Sequence, residues 1–228
     1  WQQYRFEADA DLLREHYSDM KRYFGYLESV ATNGILFEGL GDWYDLVAGQ
    51  RPGAAKLTLP PVTATAFYFH DATILSGVAA ALGRPEEAKD YAARAERVRA
   101  SFNREFFHAD MNTYASGSQC ANALALVFGL VEAKHRDAVL ASLVRDVESR
   151  GYAITAGDVG FGFLLQALAL GGRSDVIYKI INQDEQPGYG YQLKKGATSL
   201  TEAWDANNNS SHNHFMLGQV IEWFYKGL

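Results

Sequence analysis

The sequence predicts an all-α protein built of antiparallel helical hairpins, and three observations carry that expectation. Apolar residues recur every three or four positions through most of the chain, strand-type alternation is scarce, and glycine or proline stops fall between paired runs. From Asp9 to Val30, the side chains of Leu13, Tyr17, Met20, Phe24 and Leu27 share one helical face. Val62 to Leu82 repeats the pattern through Ala66, Ile74, Val78 and Ala81. Gly83 ends that helix and Pro85 opens the next, where its missing N–H costs nothing. This helix places Ala88, Tyr91, Ala95, Val98, Phe102 and Phe106 on one stripe, with Glu86 and Glu87 at the positive end of its dipole. Leu82-Gly83-Arg84-Pro85 is thus a tight turn between antiparallel helices. Ser118–Leu130 pairs with Arg136–Val147. Val159–Leu170 pairs with a helix after Gly171-Gly172, capped by Ser174 and carrying Val176, Ile177, Ile180 and Ile181. A last helix runs from about His214 to Tyr225, which makes about eight in all. No ankyrin or tetratricopeptide period is present.

Composition narrows the function classes. A chain of 228 residues can bury a sizeable core without disulfide or metal staples. With 48% hydrophobic residues, 21% charged and only 5 Pro, it is ordinary globular sequence and carries no long disordered tract. A net charge of −6 argues against nucleic acid or an anionic membrane surface as partner. The lone Cys120 excludes an internal disulfide framework and a multi-cysteine metal site. No run reaches the ~18 uninterrupted apolar residues of a membrane span, and no basic-then-apolar leader opens the chain. The start at Trp1-Gln2-Gln3-Tyr4 suggests a segment cut from a longer polypeptide, and Trp223 to Leu228 closes the chain on an apolar run.

Two long breaks interrupt the hairpins. Residues 33–61 hold Gly34, Gly39, Gly41, Gly49, Gly53 and Pro60-Pro61. Residues 183–211 hold Pro187, Gly188, Gly190, Gly196 and Asn207-Asn208-Asn209. Loops this long are functional or disordered more often than plain connectors. Both carry acids beside aromatics: Asp42, Trp43, Tyr44 and Asp45 in the first, and Tyr189, Tyr191, Glu202, Trp204 and Asp205 in the second. A carboxylate next to a flat apolar ring suits a sugar, whose hydroxyls donate while its C–H face stacks, and Glu202 has the chemistry of a general base. The alternative for Trp204 is a core filler in a solvated loop. Ser211-His212-Asn213-His214 has a metal-like His-x-His spacing, with Glu202 or Asp205 as a further ligand. Against metal, residues two apart diverge on a helix, and neither HExxH nor a second histidine pair is present; His70 and His108 read as scaffold histidines. A P-loop, a GxSxG elbow and a dinucleotide fingerprint are absent.

Five motifs occur in order: Gly41-Asp42-Trp43-Tyr44-Asp45; Ser116-Gly117-Ser118-Gln119 leading into Ala121 to Leu126; Gly188-Tyr189-Gly190-Tyr191; Gly196 to Asp205; and Ser211-His212-Asn213-His214 through Gly218 to Tyr225. In these the chain resembles the catalytic domain of bacterial α-L-rhamnosidases, glycoside hydrolase family 78. The resemblance implies an (α/α)6 toroid of six helical hairpins, an inverting hydrolysis of terminal α-L-rhamnosides, and no cofactor. It implies Glu202 as general base and Trp43 and His214 as lining of the sugar pocket; Asp42 and Trp204, from the same acid-and-indole loops, are expected to bind substrate with them. Many members carry Trp immediately before the base, where Thr201 stands here.

The family's general acid lies in an Asp- and Arg-rich motif ending in Gly-Trp-x-Gly-Asp, and that motif is absent from this chain. The expectation is therefore one domain over residues 1–228, the C-terminal two-thirds of the catalytic toroid, with the base present and the acid missing. Such a piece would be inactive alone. It would self-associate through stripes such as Leu13, Tyr17, Met20, Phe24 and Leu27, or be marginally stable. A non-catalytic sugar-binding or interaction module that kept the fold is the alternative.

Overall fold

A computed structural model describes residues 1–226. Ten α-helices and a two-residue-per-strand hairpin are present among them. The helices are α1 (Gln2–Glu7), α2 (Asp11–Val30), α3 (Pro60–Ala81), α4 (Pro85–Phe106), α5 (Gln119–Phe128), α6 (Arg136–Ser149), α7 (Gly160–Leu170), α8 (Ser174–Ile181), α9 (Tyr189–Lys194) and α10 (Val220–Lys226). Strands β1 (Phe107–His108) and β2 (Thr113–Tyr114) pair antiparallel after α4. By contacts the chain divides into two compact units, residues 1–38 with 64–105, and residues 39–63 with 106 onward.

In the first unit, α2 lays Leu13, Tyr17 and Phe24 into the core at 1–4% exposure. Phe24 meets Tyr68 of α3 and Tyr91 of α4, with ring centroids 5.2 and 5.6 Å apart. The Tyr17 hydroxyl donates to Glu87 at 3.2 Å, and Arg84 lies over the Tyr17 ring. Leu13, Tyr17 and Phe24 of the stripe expected to lack partners are therefore covered within the chain by the α3–α4 hairpin, while Met20 and Leu27 stay half-buried. The exposed apolar residues of α2, Leu12, Tyr23, Tyr26 and Val30, lie on an adjacent face. The turn from α3 to α4 uses Gly83 at φ +73°, and Ser76 Oγ donates to Ala88 O at 2.8 Å across the hairpin.

In the second unit, α7 packs on α5, α8 and α10, and α5 packs on α6. Ser118 caps α5 by accepting from Ala121 N–H at 3.2 Å, and Gly129 closes it in the left-handed conformation. Three sequence expectations need correction. Ser174 is the first residue of α8 and makes no cap bond; its Oγ accepts instead from the Trp223 indole N–H at 3.2 Å. The last helix begins at Val220, because Phe215–Leu217 form a 3₁₀ turn and Gly218 separates the two. The 183–211 segment contains α9, a helix too short for its periodicity to register in sequence. The end of the closing apolar run, Gly227 and Leu228, lies outside the described residues. No described helix is long and apolar enough to cross a membrane.

Candidate functional site

All five residues expected at a site belong to the second unit, where two turns are locked together by one carboxylate. Asp42 is fully buried and accepts from Gly157 N–H at 2.8 Å and from Gly160 N–H at 2.7 Å. The glycines permit this approach. A Cβ on Gly160 would lie 2.5 Å from Cys120 Cβ and 2.6 Å from Asp42 Oδ2; one on Gly157 would lie 2.1 Å from the Trp43 carbonyl oxygen. Burial pushes the Asp42 carboxyl up to about 7, against the pull of its two backbone hydrogen bonds. Asp45, also buried, accepts from the N–H groups of Lys56, Leu57 and Thr58 and closes its own loop. Asp42 and Asp45 are structural anchors, so the substrate contact expected of Asp42 is not where its side chain sits.

Between the anchors, Trp43 is half-buried and its carbonyl accepts from Asp158 N–H at 2.8 Å. That bond carries Trp43 and Asp158 together. Asp158 is the residue that sequence reasoning missed. It is half-buried just before α7, and its Oδ1 is fully buried with no protein partner. Burial raises its carboxyl to about 6; His214 lowers it and the Glu202 charge raises it further. An acid bracketed by Gly157 and Gly160 immediately ahead of an apolar helix was the available signal.

The Glu202 loop is closed by cross-pairing. Glu202 N–H donates to Ser211 O at 2.8 Å, Ser211 N–H donates back to Glu202 Oε2 at 3.1 Å, and His214 N–H donates to Leu200 O at 2.9 Å. Ser199 Oγ also donates to His212 O. Glu202 stays half-exposed while its neighbours Thr201, Ala203 and Trp204 are buried. Thr201 Oγ donates to Ala203 O at 2.7 Å, so the residue that stands for the family's Trp is a turn-former here. Glu202, His214, Asp158 and Trp43 thus form the candidate site.

Trp204 is not a wall of that site. At 1% exposure its ring sits edge-on to Phe161 and Tyr189, with centroids 4.7 and 5.1 Å away, and its indole N–H donates to Ala156 O at 2.8 Å. Of the two readings left open for it, this placement is the core filler, and the ring fixes the loop that presents Glu202. Trp204→Phe keeps most of the volume but leaves the Ala156 carbonyl unpaired, so it is expected to lower unfolding stability by about 1–3 kcal/mol in urea titrations. An unchanged midpoint would show that the indole bond is not structural.

The metal option for His212 and His214 has no geometric support. The His212 ring pairs with Asn207 O at 3.1 Å, the His214 ring stacks on Phe215, and Asp205 is engaged by Asn207. Among the described residues, no three His, Cys, Asp or Glu side chains group as a metal site. A cleft of about 340 Å³ on α7 and α10, bordered by Leu165, Gln219 and Trp223, includes none of the candidate site residues.

Comparisons with known proteins agree with the helical architecture. A model of the bacterial alpha-L-rhamnosidase 6 hairpin glycosidase domain matches residues 1–228. An alpha-L-rhamnosidase of Alteromonas sp. is 27% identical over all of this chain and 26% of its own length. One of Streptomyces avermitilis is 28% identical over all of this chain and 22% of its own. Among solved structures, the alpha-L-rhamnosidase from Dictyoglumus thermophilum superposes with a TM-score of 0.87 at 33% identity, over 96% of this chain and 25% of that one. The Streptomyces avermitilis enzyme, solved in complex with L-rhamnose, gives 0.83 at 28% identity over 96% and 21%. The all-α six-hairpin class expected from the sequence is thereby established. The chain spans about a quarter of the length of the relatives it matches.

Proposed function

Because the chain belongs to the bacterial α-L-rhamnosidase six-hairpin glycosidase family, we propose that it supplies the water-activating half of an inverting α-L-rhamnosidase site, with Glu202 as general base. The observation that carries this reading is the setting of Glu202. Ser211 N–H engages one of its carboxylate oxygens at 3.1 Å and orients the group, and the side chain remains half-exposed while its neighbours Thr201, Ala203 and Trp204 are buried. A carboxylate held this way can take a proton from water as that water attacks the anomeric carbon. Trp43 supplies an apolar ring for the C–H face of the sugar, and His214 a polar group for a hydroxyl.

Inversion needs a second carboxyl roughly 6.5–9.5 Å away to protonate the leaving oxygen. The family resemblance puts that acid in a segment this chain does not contain, so the activity belongs to the full-length polypeptide carrying the chain. The test is to follow an aryl α-L-rhamnoside by proton NMR during early turnover. The expected first product is β-L-rhamnose, which then mutarotates. Initial α-L-rhamnose would overturn inversion, and rhamnose binding without turnover would favour the sugar-binding-module alternative.

A further inference from the structure

We propose that a cavity in the first unit binds a small carboxylate, held by the Arg97 guanidinium together with the hydroxyls of Tyr68 and Ser101. The cavity, of about 270 Å³, lies between the end of α2, α3 and α4, and its wall includes Glu28, Gly34, Tyr68, Arg94, Arg97 and Ser101. Its volume is at the small end for small-molecule sites. Tyr68 is its unusual member. The residue is 3% exposed, its ring packs on Phe24 with centroids 5.2 Å apart, and its hydroxyl makes no hydrogen bond with the described residues. Buried hydroxyls are otherwise almost always partnered. Nor is this hydroxyl sealed: it is not among the unpartnered atoms that lack accessible surface, and the surface Tyr68 keeps opens on the cavity. Burial pushes the phenol up, so it holds its proton and can donate.

The rest of the wall also carries unspent donors. Arg94 is committed, donating to Glu28 at 2.6 Å and to Asp90 at 2.8 Å. Arg97 is exposed and makes no ion pair or hydrogen bond with the described residues. Ser101 Oγ accepts from Arg104 at 3.1 Å, and its own proton has no acceptor among the described residues. Arg97 and Ser101 stand four apart on α4 and therefore share one face. Gly34 completes the wall where a side chain has no room: at φ +81°, a Cβ there would lie 2.6 Å from Ser101 Oγ. A guanidinium fork and two hydroxyl donors, none with an acceptor, call for a group that only accepts. A carboxylate is such a group, and its two coplanar oxygens match the fork in a charge-assisted, bidentate pair. Glu28 and Asp90 offset the charge of Arg94, so the surroundings suit one negative charge and oppose a dianion such as phosphate.

The test follows D-glucuronate binding to the full-length polypeptide by saturation-transfer NMR, with glucose as the uncharged control and acetate and inorganic phosphate as competitors. Glucuronate is expected to bind wild type saturably, and glucose not to bind. Arg97→Met keeps the stem of an exposed side chain and removes the fork, so it should fold and weaken glucuronate binding at least ~10-fold. Tyr68→Phe should weaken it roughly 2- to 10-fold without lowering the unfolding temperature, because the hydroxyl bonds nothing in the protein. Acetate that displaces glucuronate at the concentration glucuronate itself needs would assign the cavity to free organic acids. Weaker displacement by acetate would assign it to a sugar acid, and either result supports a carboxylate site. The proposal would be overturned by phosphate displacing glucuronate better than acetate does, or by glucose binding as tightly as glucuronate. Equal affinity in wild type and either variant would overturn it too, as would no binding by wild type.

Discussion

Glu202→Gln in the full-length polypeptide is expected to lower kcat for rhamnoside hydrolysis by at least ~100-fold, with KM little changed. The substitution is close to isosteric. A glutamine carbonyl can still accept the Ser211 N–H that Glu202 Oε2 accepts at 3.1 Å, and the backbone bond from Glu202 N–H to Ser211 O is untouched. The Trp204 ring beneath the loop also stays in place, so fold and substrate contacts should survive. What disappears is the capacity to take a proton from water. Azide separates that loss from a general defect, because it attacks without needing to be deprotonated. In the variant, added azide should restore turnover and yield β-L-rhamnosyl azide. A variant retaining more than about a tenth of wild-type kcat would remove Glu202 from the base role.

The helices that the sequence shows are those long enough to display a full apolar stripe. Helix α2 announces itself through Leu13, Tyr17 and Phe24, and the α3–α4 turn through Gly83 and Pro85. Helices α1 and α9, six residues each, give less than two turns of pattern, and Gly188 and Gly190 mark α9 as loop. Site chemistry was legible by residue type but not by direction. Gly41-Asp42-Trp43-Tyr44-Asp45 and Glu202-Ala203-Trp204-Asp205 each show acids beside an indole. Sequence alone does not say that Asp42, Asp45 and Trp204 turn inward while Glu202 stays half-exposed. For Trp204 and Asp42 that direction is set by partners more than 40 residues away, Ala156 and Gly157, and for Asp45 by the N–H groups of its own loop. Asp158 was hidden for the opposite reason. It stands alone between glycines with no aromatic beside it, and its link to the site is a backbone bond to the Trp43 carbonyl far away in sequence.

Asp42 makes the unit's stability pH-dependent in a direction opposite to that of ion-paired acids such as Asp175. Its folded-state carboxyl titrates at about 7, against 3.8 for the free side chain, so the folded chain holds this proton over a range where the unfolded chain has released it. Stability from this group is therefore full below about pH 4, falls as pH rises toward 7, and is flat above. At about 1.4 kcal/mol per unit, the full swing is about 4 kcal/mol. The cause is desolvation: two backbone N–H groups, at 2.7 and 2.8 Å, do not replace the water a carboxylate loses, and the nearby Asp45 charge opposes ionisation further. Asp71 and Asp158, both raised to about 6, add slopes of the same sign, so wild type alone is not diagnostic. Asp42→Asn isolates the effect, because it removes this titration and leaves the others. Asn offers one acceptor where Asp42 has two, so the variant should be less stable at pH 4, where Asp42 is protonated. Between pH 4 and 8, urea unfolding should then show wild type losing about 4 kcal/mol more than the variant, and the gap closing or reversing by pH 8. Parallel curves for the two proteins across that range would mean that Asp42 titrates alike in both states, and that the anchor between the Trp43 turn and Asp158 is an ionised carboxylate at neutral pH.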